Sequence, residues 1–356
     1  MMIMQSRVRD YTVHFAKNTD FFRGFERFPE RLYVIDANVW KLHSEVLLKD
    51  LPKTAVVAFP VNEERKCLRS VEELYDHLVE RAAKKNITMI SIGGGILQDI
   101  TGYAATTLYR GINWIFVPTT LLAQADSCIG SKTSLNYKGF KNLVGTFYPP
   151  SEVHIYVPFL STLENADFFS GLGEVVKLHI MGGKDSTNQL LAILPAVLRR
   201  ELRALSIAVK DSLKIKQSYM AGDEFDTGRR NLLNFGHCFG HALESTSGYA
   251  VPHGQAVVIG MLFANIVARN RGLLSAEIGD FLSHNLLLNS FVSSVKPSDI
   301  DTGPIMEAMG KDKKRVGKDL VIVLMKDDFS FTKVTDFKPK ELITALEELR
   351  VLLRNR

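Results

Sequence analysis

Three histidines lie close together in the second half of the chain. His237 and His241 are four residues apart, so on a helix they would share one face. His253 follows Gly248 and Pro252, which break helices and let the chain fold back toward that face. Neutral imidazole is the commonest ligand for zinc-like ions, and a catalytic metal site needs three protein ligands and an open position. The spacing predicts a metal site, while a single His-x-x-x-His pair would equally suit an ordinary helix.

Cationic and amide side chains accompany these histidines. Each lysine alone is most commonly a solvated surface charge, but together with arginine they would suit a substrate that carries carboxylate and phosphate groups. Part of the set falls in a predicted loop-rich stretch around Gly130, Gly139 and Gly145. The rest falls on predicted helices, except Arg230, which directly precedes one. The members are Asp126, Lys132, Lys141, Asn142, Lys177, Lys216, Arg230 and Asn234.

A glycine-rich turn marks a second candidate site. Gly93, Gly94 and Gly95 end a predicted strand and open a helix, where backbone N–H groups can approach a phosphate. The fuller dinucleotide pattern is not met, because Gln98 stands at its third glycine. Thr119 and its neighbours follow another strand, and two such loops together favour a nucleotide crevice over a plain turn. The spacing around Gly130 excludes a P-loop.

The elements that must position these residues change character along the chain. Five short apolar runs rich in Val and Ile predict buried strands, and Ser70 to Lys85 has helical spacing. The strands are predicted at residues 32–35, 55–59, 88–92, 114–117 and 153–157. Alternating strands and helices indicate a parallel sheet covered by helices.

The second half is predicted to be mostly helical, with the boundary near residues 160–170. Helical patterns cover residues 174–180, 188–205, 206–219, 231–246, 255–270 and 276–288. The predicted fold class is therefore two-domain α/β plus α, with a Rossmann-like parallel sheet domain followed by a mostly helical domain. We place the domains at residues 1–165 and 166–356.

Composition restricts the class of protein. The 356 residues include 46% hydrophobic and 23% charged residues, enough for the cores of two domains. The formal charge of +5 is modest, and no zinc-finger or RNA-recognition pattern points to nucleic acid. Three scattered cysteines argue against a disulfide framework, and the sequence contains neither a signal peptide nor a spanning apolar run. We expect a soluble cytoplasmic protein without a membrane or nucleic-acid partner.

Linked motifs in a fixed order resemble those of the 3-dehydroquinate synthase family, the sugar-phosphate cyclases. The resemblance runs from about Leu32 to Leu324. It rests on Gly93–Asp99, Arg110-Gly111, Pro118–Gln124, Asp126–Lys132, Gly139–Asn142, Glu174–Lys177, Asn234–His237, His253-Gly254 and Asp312–Lys314.

The resemblance implies two cofactors. A divalent metal ion, zinc or cobalt, would be held by Glu174, His237 and His253, while His241 would belong to the substrate pocket instead. NAD would be bound by the first domain, and the second domain would hold the metal and the substrate. The nucleotide-site positions are Asp36, Asn38, Glu63, Lys66, Gly94, Gly95, Asp99, Thr119, Thr120, Asp126, Lys132, Lys141, Phe159, Thr162 and Leu163.

The resemblance also implies a reaction and a partner. NAD⁺ oxidises a ring alcohol, phosphate leaves by β-elimination, NADH returns the hydride, and an aldol step closes a carbocycle in the shikimate pathway. Asp126, Lys177 and Lys216 would surround the reacting hydroxyls, and Arg230 would pair with the substrate carboxylate. Arg110 would reach the partner's site in a homodimer. The phosphate end would be held by Lys132, Asn142, Asn234, His241 and either Lys313 or Lys314.

Departures from the family pattern leave alternatives open. Gln98 and Ser131 stand where glycine is usual, and Gln255 stands where glutamate is usual. Arg230 favours the carboxylate substrate 3-deoxy-arabino-heptulosonate 7-phosphate over sedoheptulose 7-phosphate or glucose 6-phosphate. An NAD- and metal-dependent polyol dehydrogenase would have no use for Lys132 or Arg230 around a phosphate and a carboxylate. A non-catalytic binding protein would not need the intact metal triad.

Overall fold

The computed structural model describes residues 1–292, 295, 300–310 and 320–354. The chain divides into two compact units, Met1–Leu163 and Glu164–Arg356. In the described part, none of the helices is both long and apolar enough to cross a membrane.

The first unit is built on a sheet whose described strands number seven, in the order β1-β2-β9-β6-β5-β3-β4. All neighbouring pairs are parallel except β1 with β2. Its strands are β1 (Met2–Met4), β2 (Tyr11–Phe15), β3 (Arg31–Asp36), β4 (Val56–Phe59), β5 (Thr88–Gly93), β6 (Asn113–Pro118) and β9 (Glu152–Ile155). The helices are α1 (Ala37–His43), α2 (Leu68–Glu80) and α3 (Gly95–Thr107), and the hairpin strands are β7 (Lys132–Tyr137) and β8 (Phe140–Phe147).

The central strands are apolar along most of their length, as strands covered on both faces must be. All six residues of β5 are buried, and so are most of β3 and β6. The parallel register pairs Gly93 with Pro118, so the carboxyl ends of β5 and β6 lie side by side. The five predicted strands are confirmed, with ends shifted by one or two residues.

The stretch predicted as loop-rich is instead an antiparallel hairpin. β7 and β8 pair from Lys132 with Phe147 to Tyr137 with Phe140. Thr133 and Leu135 are buried while Lys132 is exposed, which is the alternation of a strand with one covered face. The glycines at 139 and 145 obscured this pattern, because glycine is read as a turn signal. The loop prediction was therefore wrong.

The second unit is mostly helical, as predicted. Its helices are α4 (Asn165–Met181), α5 (Lys184–Leu198), α6 (Leu202–Met220), α7 (His237–Thr246), α8 (His253–Asn270), α9 (Ala276–Leu282), α10 (Thr302–Gly310) and α11 (Pro339–Arg354). One antiparallel pair, β10 (Leu320–Met325) with β11 (Phe331–Phe337), accompanies them.

Two predicted helices are interrupted. The pattern at 188–205 breaks between α5 and α6, where Arg200 has a φ of +59° that no helix continues through. The pattern at 231–246 breaks at Gly236, whose φ is +77°, between a 3₁₀ turn (Arg229–Asn234) and α7. Apolar periodicity runs on across both breaks and therefore hides them.

Candidate functional site

A buried carboxylate and two imidazoles converge in the second unit. Glu174 on α4 is 0% exposed, and its Oε1 lies 3.1 Å from Nε2 of His253 and 3.4 Å from Nε2 of His237. Ligands of a tetrahedral ion with bonds of 2.0–2.1 Å lie about 3.3 Å apart. These three side chains therefore have the spacing and chemistry of a transition-metal site.

Close packing between helices brings these side chains together. Gly254 lies directly against α4: a Cβ at this position would lie 1.7 Å from the carbonyl oxygen of Ser170. The amide of Gly254 also donates to the Ser170 hydroxyl at 3.1 Å. The start of α8, with His253, is thereby held one turn of α4 away from Glu174.

Electrostatics make this cluster strongly ionic. Burial acts to raise the pKa of Glu174, but the ammonium of Lys177 and the two imidazoles outweigh it and hold that pKa well below its usual range. Burial, followed by the charge of Lys177, lowers the pKa of His237. Burial also acts to lower the pKa of His253, but hydrogen bonds to Glu174 and Glu244 raise it to about 10. The ionised buried carboxylate thus attracts cations from several directions.

His241 and Glu244 extend the cluster along α7. The ligand atoms of His237, His241 and His253 all lie within 4.8 Å of one another, as the four-residue spacing predicted. His241 is exposed, whereas Glu174 is fully buried. Glu244 was missed by sequence reasoning; its Oε2 lies 3.0 Å from Nδ1 of His253. It sits seven residues after His237, on the same face of α7, so helical spacing could have revealed it.

The predicted cationic residues of this unit occupy neighbouring elements. Lys177 is 2% exposed and its Nζ lies 2.5 Å from Oε2 of Glu174. Lys216 on α6 is 7% exposed, and Arg230 in the 3₁₀ turn is 4% exposed. Arg230 donates through its guanidinium to the carbonyl of Glu224. Asn234 ends the same turn and donates to the carbonyl of Asn231 at 2.7 Å. Buried cations of this kind are unusual unless an anion meets them.

The glycine-rich turn of the first unit has the predicted strand-to-helix geometry. β5 ends at Gly93, Gly94 caps α3, and α3 begins at Gly95. The amide of Thr119 donates to the carbonyl of Gly93 at 2.9 Å, which joins the two strand-end loops. A helix N-terminus at the carboxyl edge of a parallel sheet is a favourable place for a phosphate group.

A polar network borders that edge. Nζ of Lys66 lies 2.6 Å from Oδ2 of Asp99 and donates to Oδ1 of Asn142 at 2.6 Å. The amide of Ser134 on β7 donates to Asp99 at 3.0 Å. Burial raises the pKa of Asp99 against the opposing effect of Lys66. The hairpin is therefore tied to α3 and to the segment before α2 through Asp99 and Lys66, which are predicted for nucleotide binding.

Other predicted nucleotide-site residues lie around the same strand ends. Asp36 caps α1 by accepting from the amide of Asn38 at 2.8 Å. Glu63 lies 3.7 Å from Nζ of Lys141. Phe159 is 1% exposed in the core, so a ligand there would meet its main chain. Further positions are Thr120 after β6, Asp126 in the helical turn Ala123–Ser127, Lys132 on β7, and Thr162 and Leu163 after β9. Arg110 is exposed after α3, and Lys313 and Lys314 lie outside the described residues.

Of the three residues that depart from the family pattern, Gln98 and Gln255 make hydrogen bonds that explain them, and nothing in the structure explains Ser131. Gln98 is 5% exposed; its Nε2 donates to the carbonyl of Ser127 at 2.7 Å, and the Ser127 hydroxyl donates to Oε1 of Gln98 at 2.7 Å. Ser131 has a φ of +63°, a region in which glycine is preferred. Oε1 of Gln255 accepts from the amide of Val292 at 3.1 Å. Gln98 thus braces the turn that carries Asp126.

Comparison with known proteins gives a consistent result. The family model described as 3-dehydroquinate synthase N-terminal matches residues 56–170, and that described as 3-dehydroquinate synthase C-terminal matches residues 171–315. A 3-dehydroquinate synthase from Syntrophotalea carbinolica is 39% identical over 84% of each chain.

Two solved structures share the fold. The structure of 2-epi-5-epi-valiolone synthase from Streptomyces hygroscopicus subsp. jinggangensis 5008, with NAD⁺ and Zn²⁺ bound, has a TM-score of 0.86 and 24% identity, covering 98% of this chain and 99% of that one. A 2-deoxy-scyllo-inosose synthase complexed with carbaglucose-6-phosphate, NAD⁺ and Co²⁺ has a TM-score of 0.81 and 22% identity over the same shares. The α/β-plus-α fold class is thereby confirmed.

Proposed function

This chain belongs to the 3-dehydroquinate synthase family of enzymes, and from that premise we propose that it is itself a 3-dehydroquinate synthase. It would convert 3-deoxy-arabino-heptulosonate 7-phosphate into 3-dehydroquinate and phosphate, as a phosphate-eliminating lyase of the shikimate pathway. The support is the 39% identity to a relative of that name, together with buried acidic and cationic groups and two half-buried imidazoles in the second unit.

A divalent ion, zinc or cobalt, would be held by Glu174, His237 and His253. The 3.1 and 3.4 Å separations between the glutamate oxygen and the imidazole nitrogens fit such an ion. When bound, the ion supplies Lewis-acid polarisation of a substrate oxygen. Glu244 keeps the ring of His253 oriented through its contact with Nδ1 at 3.0 Å. The exposed His241 is then left for the phosphate pocket rather than for the metal.

NAD would be bound at the strand-end edge of the first unit, against Gly94, Gly95 and Thr119. The nucleotide supplies hydride acceptance and return. The turn at Gly94 leaves main-chain N–H groups available to its phosphates. Lys66 and Asp99 keep the edge polar through their 2.6 Å ion pair. Lys141 and Glu63 would contact the outer part of the bound NAD.

Substrate groups would be held by cationic and amide side chains. Lys177 and Lys216 are buried, so each ammonium would be a strong, fixed donor to the reacting hydroxyls. Asn234 and His241 would hold the phosphate end with Lys132 and Asn142, and Asp126 would accept a hydroxyl proton. We also propose that Lys313 or Lys314 joins the phosphate group.

The choice of substrate depends on Arg230. Arg230 is 4% exposed, in a unit that already contains the buried cations Lys177 and Lys216. A planar guanidinium fork matches a carboxylate in two parallel hydrogen bonds, which no neutral sugar end can replace. The carboxylate-bearing heptulosonate phosphate therefore fits this position better than sedoheptulose 7-phosphate or glucose 6-phosphate.

The substrate assignment is tested by phosphate release with NAD⁺ and Co²⁺ from each of those three sugar phosphates. We expect release only from the carboxylate substrate. Arg230→Ala should lower its kcat/KM by about 100-fold or more, because losing one partner of a buried charge pair costs about 3–5 kcal/mol. The exposed neighbour variant Arg229→Ala is the matched control. Normal turnover by Arg230→Ala, or release from a neutral-ended sugar, would contradict the assignment.

We further propose a cytoplasmic homodimer. Arg110 is exposed on the single chain and would reach into the partner's site. The cysteines at 67, 128 and 238 form no disulfide bond in the described part of the chain, which suits a reducing compartment. Sedimentation of the purified protein at micromolar concentration should give twice the mass of one chain.

A further inference from the structure

A second group of metal-ligating side chains lies in the first unit, on the face of two neighbouring strands. His14 on β2 is directly opposite His154 on β9 in the parallel register. Glu152 precedes His154 by two residues, so its side chain points to the same face of the sheet. None of these three residues has a role in the proposed reaction.

The ligand atoms of this group are already close. Oε2 of Glu152 lies 2.8 Å from Nε2 of His154 and 4.0 Å from Nε2 of His14. The two imidazole rings are stacked with centroids 4.7 Å apart and planes 16° apart. A small rotation of His14 would bring its nitrogen to the roughly 3.3 Å separation that ligands of one zinc ion have.

Neighbouring side chains fix the positions of Glu152 and His154 and leave His14 free to rotate. Arg27 donates to Oε1 of Glu152, which leaves Oε2 facing the imidazoles. Phe21 stacks on His154 with centroids 5.3 Å apart. The side chain of His154 is 8% exposed and that of Glu152 is 20% exposed, but that of His14 is 37% exposed. An ion can therefore enter from the solvent side, where His14 can turn.

We propose that His14, Glu152 and His154 bind a second divalent transition-metal ion, of the zinc or cobalt class. Two imidazoles and one carboxylate form a ligand set that holds zinc elsewhere in proteins, with a fourth position left to water.

The second site should be the weaker of the two. Among the described residues, the buried Nδ1 of His154 has no hydrogen-bond partner, whereas Nδ1 of His253 has Glu244. Lack of such a supporting carboxylate typically costs about 10- to 100-fold in metal affinity. The chain should therefore bind one ion tightly and a second at least about tenfold more weakly.

The test is a Co²⁺ titration of metal-free, full-length protein with a competing chromophoric chelator. The wild type should bind two ions per chain. His14→Gln should keep only the tight ion, and His237→Gln should keep only the weaker one. If the wild type binds a single ion and His14→Gln binds the same number, the second site is overturned. This conclusion does not depend on the result at the Glu174 site. Loss of binding in His237→Gln alone would then still support the metal site of the proposed function.

Two controls separate ligation from folding. His77→Gln changes a half-buried histidine on α2 in the same unit and should retain both ions. Far-ultraviolet circular dichroism should show that His14→Gln unfolds within a few degrees of the wild type. If folded His14→Gln still binds two ions, His14 is not a ligand and the proposal is wrong.

Discussion

The two candidate sites are assembled in different ways. At the strand-end edge of the first unit, residues adjacent in sequence, Gly93 to Gly95, form the turn, and much of the site is main chain. In the helical unit, Glu174, His237 and His253 come from three helices and only their side chains meet. A main-chain site tolerates many side-chain changes nearby, whereas a side-chain site fails when one member is lost.

The same difference predicts which kinds of substitution will impair function at each site. In the helical unit, a substitution that changes the chemistry of a single ligand atom should impair function even when it keeps the shape of the side chain. At the glycine edge, it should depend on added volume, even when no polar group changes. The four variants below test this contrast, from the largest expected effect on function to the smallest.

Glu174→Gln keeps the shape of the side chain but removes the buried charge between the imidazoles. We expect phosphate release to fall on the order of 10³-fold, because a bound metal contributes several kcal/mol of stabilisation. Metal content measured by mass spectrometry should fall with it. Cys238→Ala on α7, next to His237, is the control and should keep both. Retained metal and turnover in Glu174→Gln would show that the charge is not needed.

Glu244→Gln tests the support for His253. In the native chain, Oε2 of Glu244 lies 3.0 Å from Nδ1 of His253. The amide of the variant can still contact Nδ1, but it favours the tautomer with the proton on Nδ1 less strongly than the carboxylate does. Metal affinity should weaken by about 10- to 100-fold in a chelator competition assay. Turnover at saturating metal should change much less. A large loss of turnover with metal saturated would instead place Glu244 in contact with substrate.

Gly94→Ala tests the main-chain site by volume. A Cβ there would lie 3.0 Å from Cγ2 of Thr120 and would crowd the approach to the helix N-terminus. NAD⁺ affinity, measured by fluorescence titration, should weaken about tenfold, which corresponds to about 1.4 kcal/mol. Metal affinity should be unchanged. Unchanged NAD⁺ affinity would mean that the nucleotide does not approach this turn.

Gln98→Gly restores the residue usual in the family and should affect function least. It removes two buried hydrogen bonds to Ser127 and puts glycine inside α3, so we expect a loss of about 2–3 kcal/mol of unfolding free energy. NAD⁺ affinity should stay within about threefold of the wild type. Urea unfolding monitored by circular dichroism measures the first quantity. A stable variant would show that Gln98 does not brace the turn.

The contrast also explains what could be predicted from the sequence. The turn at Gly93–Gly95 and the strands around it are local patterns, and the structure confirms them. The His237–His241 face was also readable, because both residues belong to one helix. Glu174 is remote in sequence, and only the motif resemblance indicated it. The contact of Glu244 with His253 and the bracing by Gln98 depend on tertiary contacts. The β7–β8 hairpin was missed because its glycines masked the alternation of a strand.

We propose that the two sites serve one reaction in which NAD is regenerated at each turnover. The most direct test follows phosphate and NADH together while purified protein, NAD⁺ and Co²⁺ act on 3-deoxy-arabino-heptulosonate 7-phosphate. We predict one phosphate released per substrate consumed, with no NADH accumulating beyond the amount of enzyme. Accumulation of NADH in step with substrate loss, without phosphate, would contradict the claim and identify a net dehydrogenase.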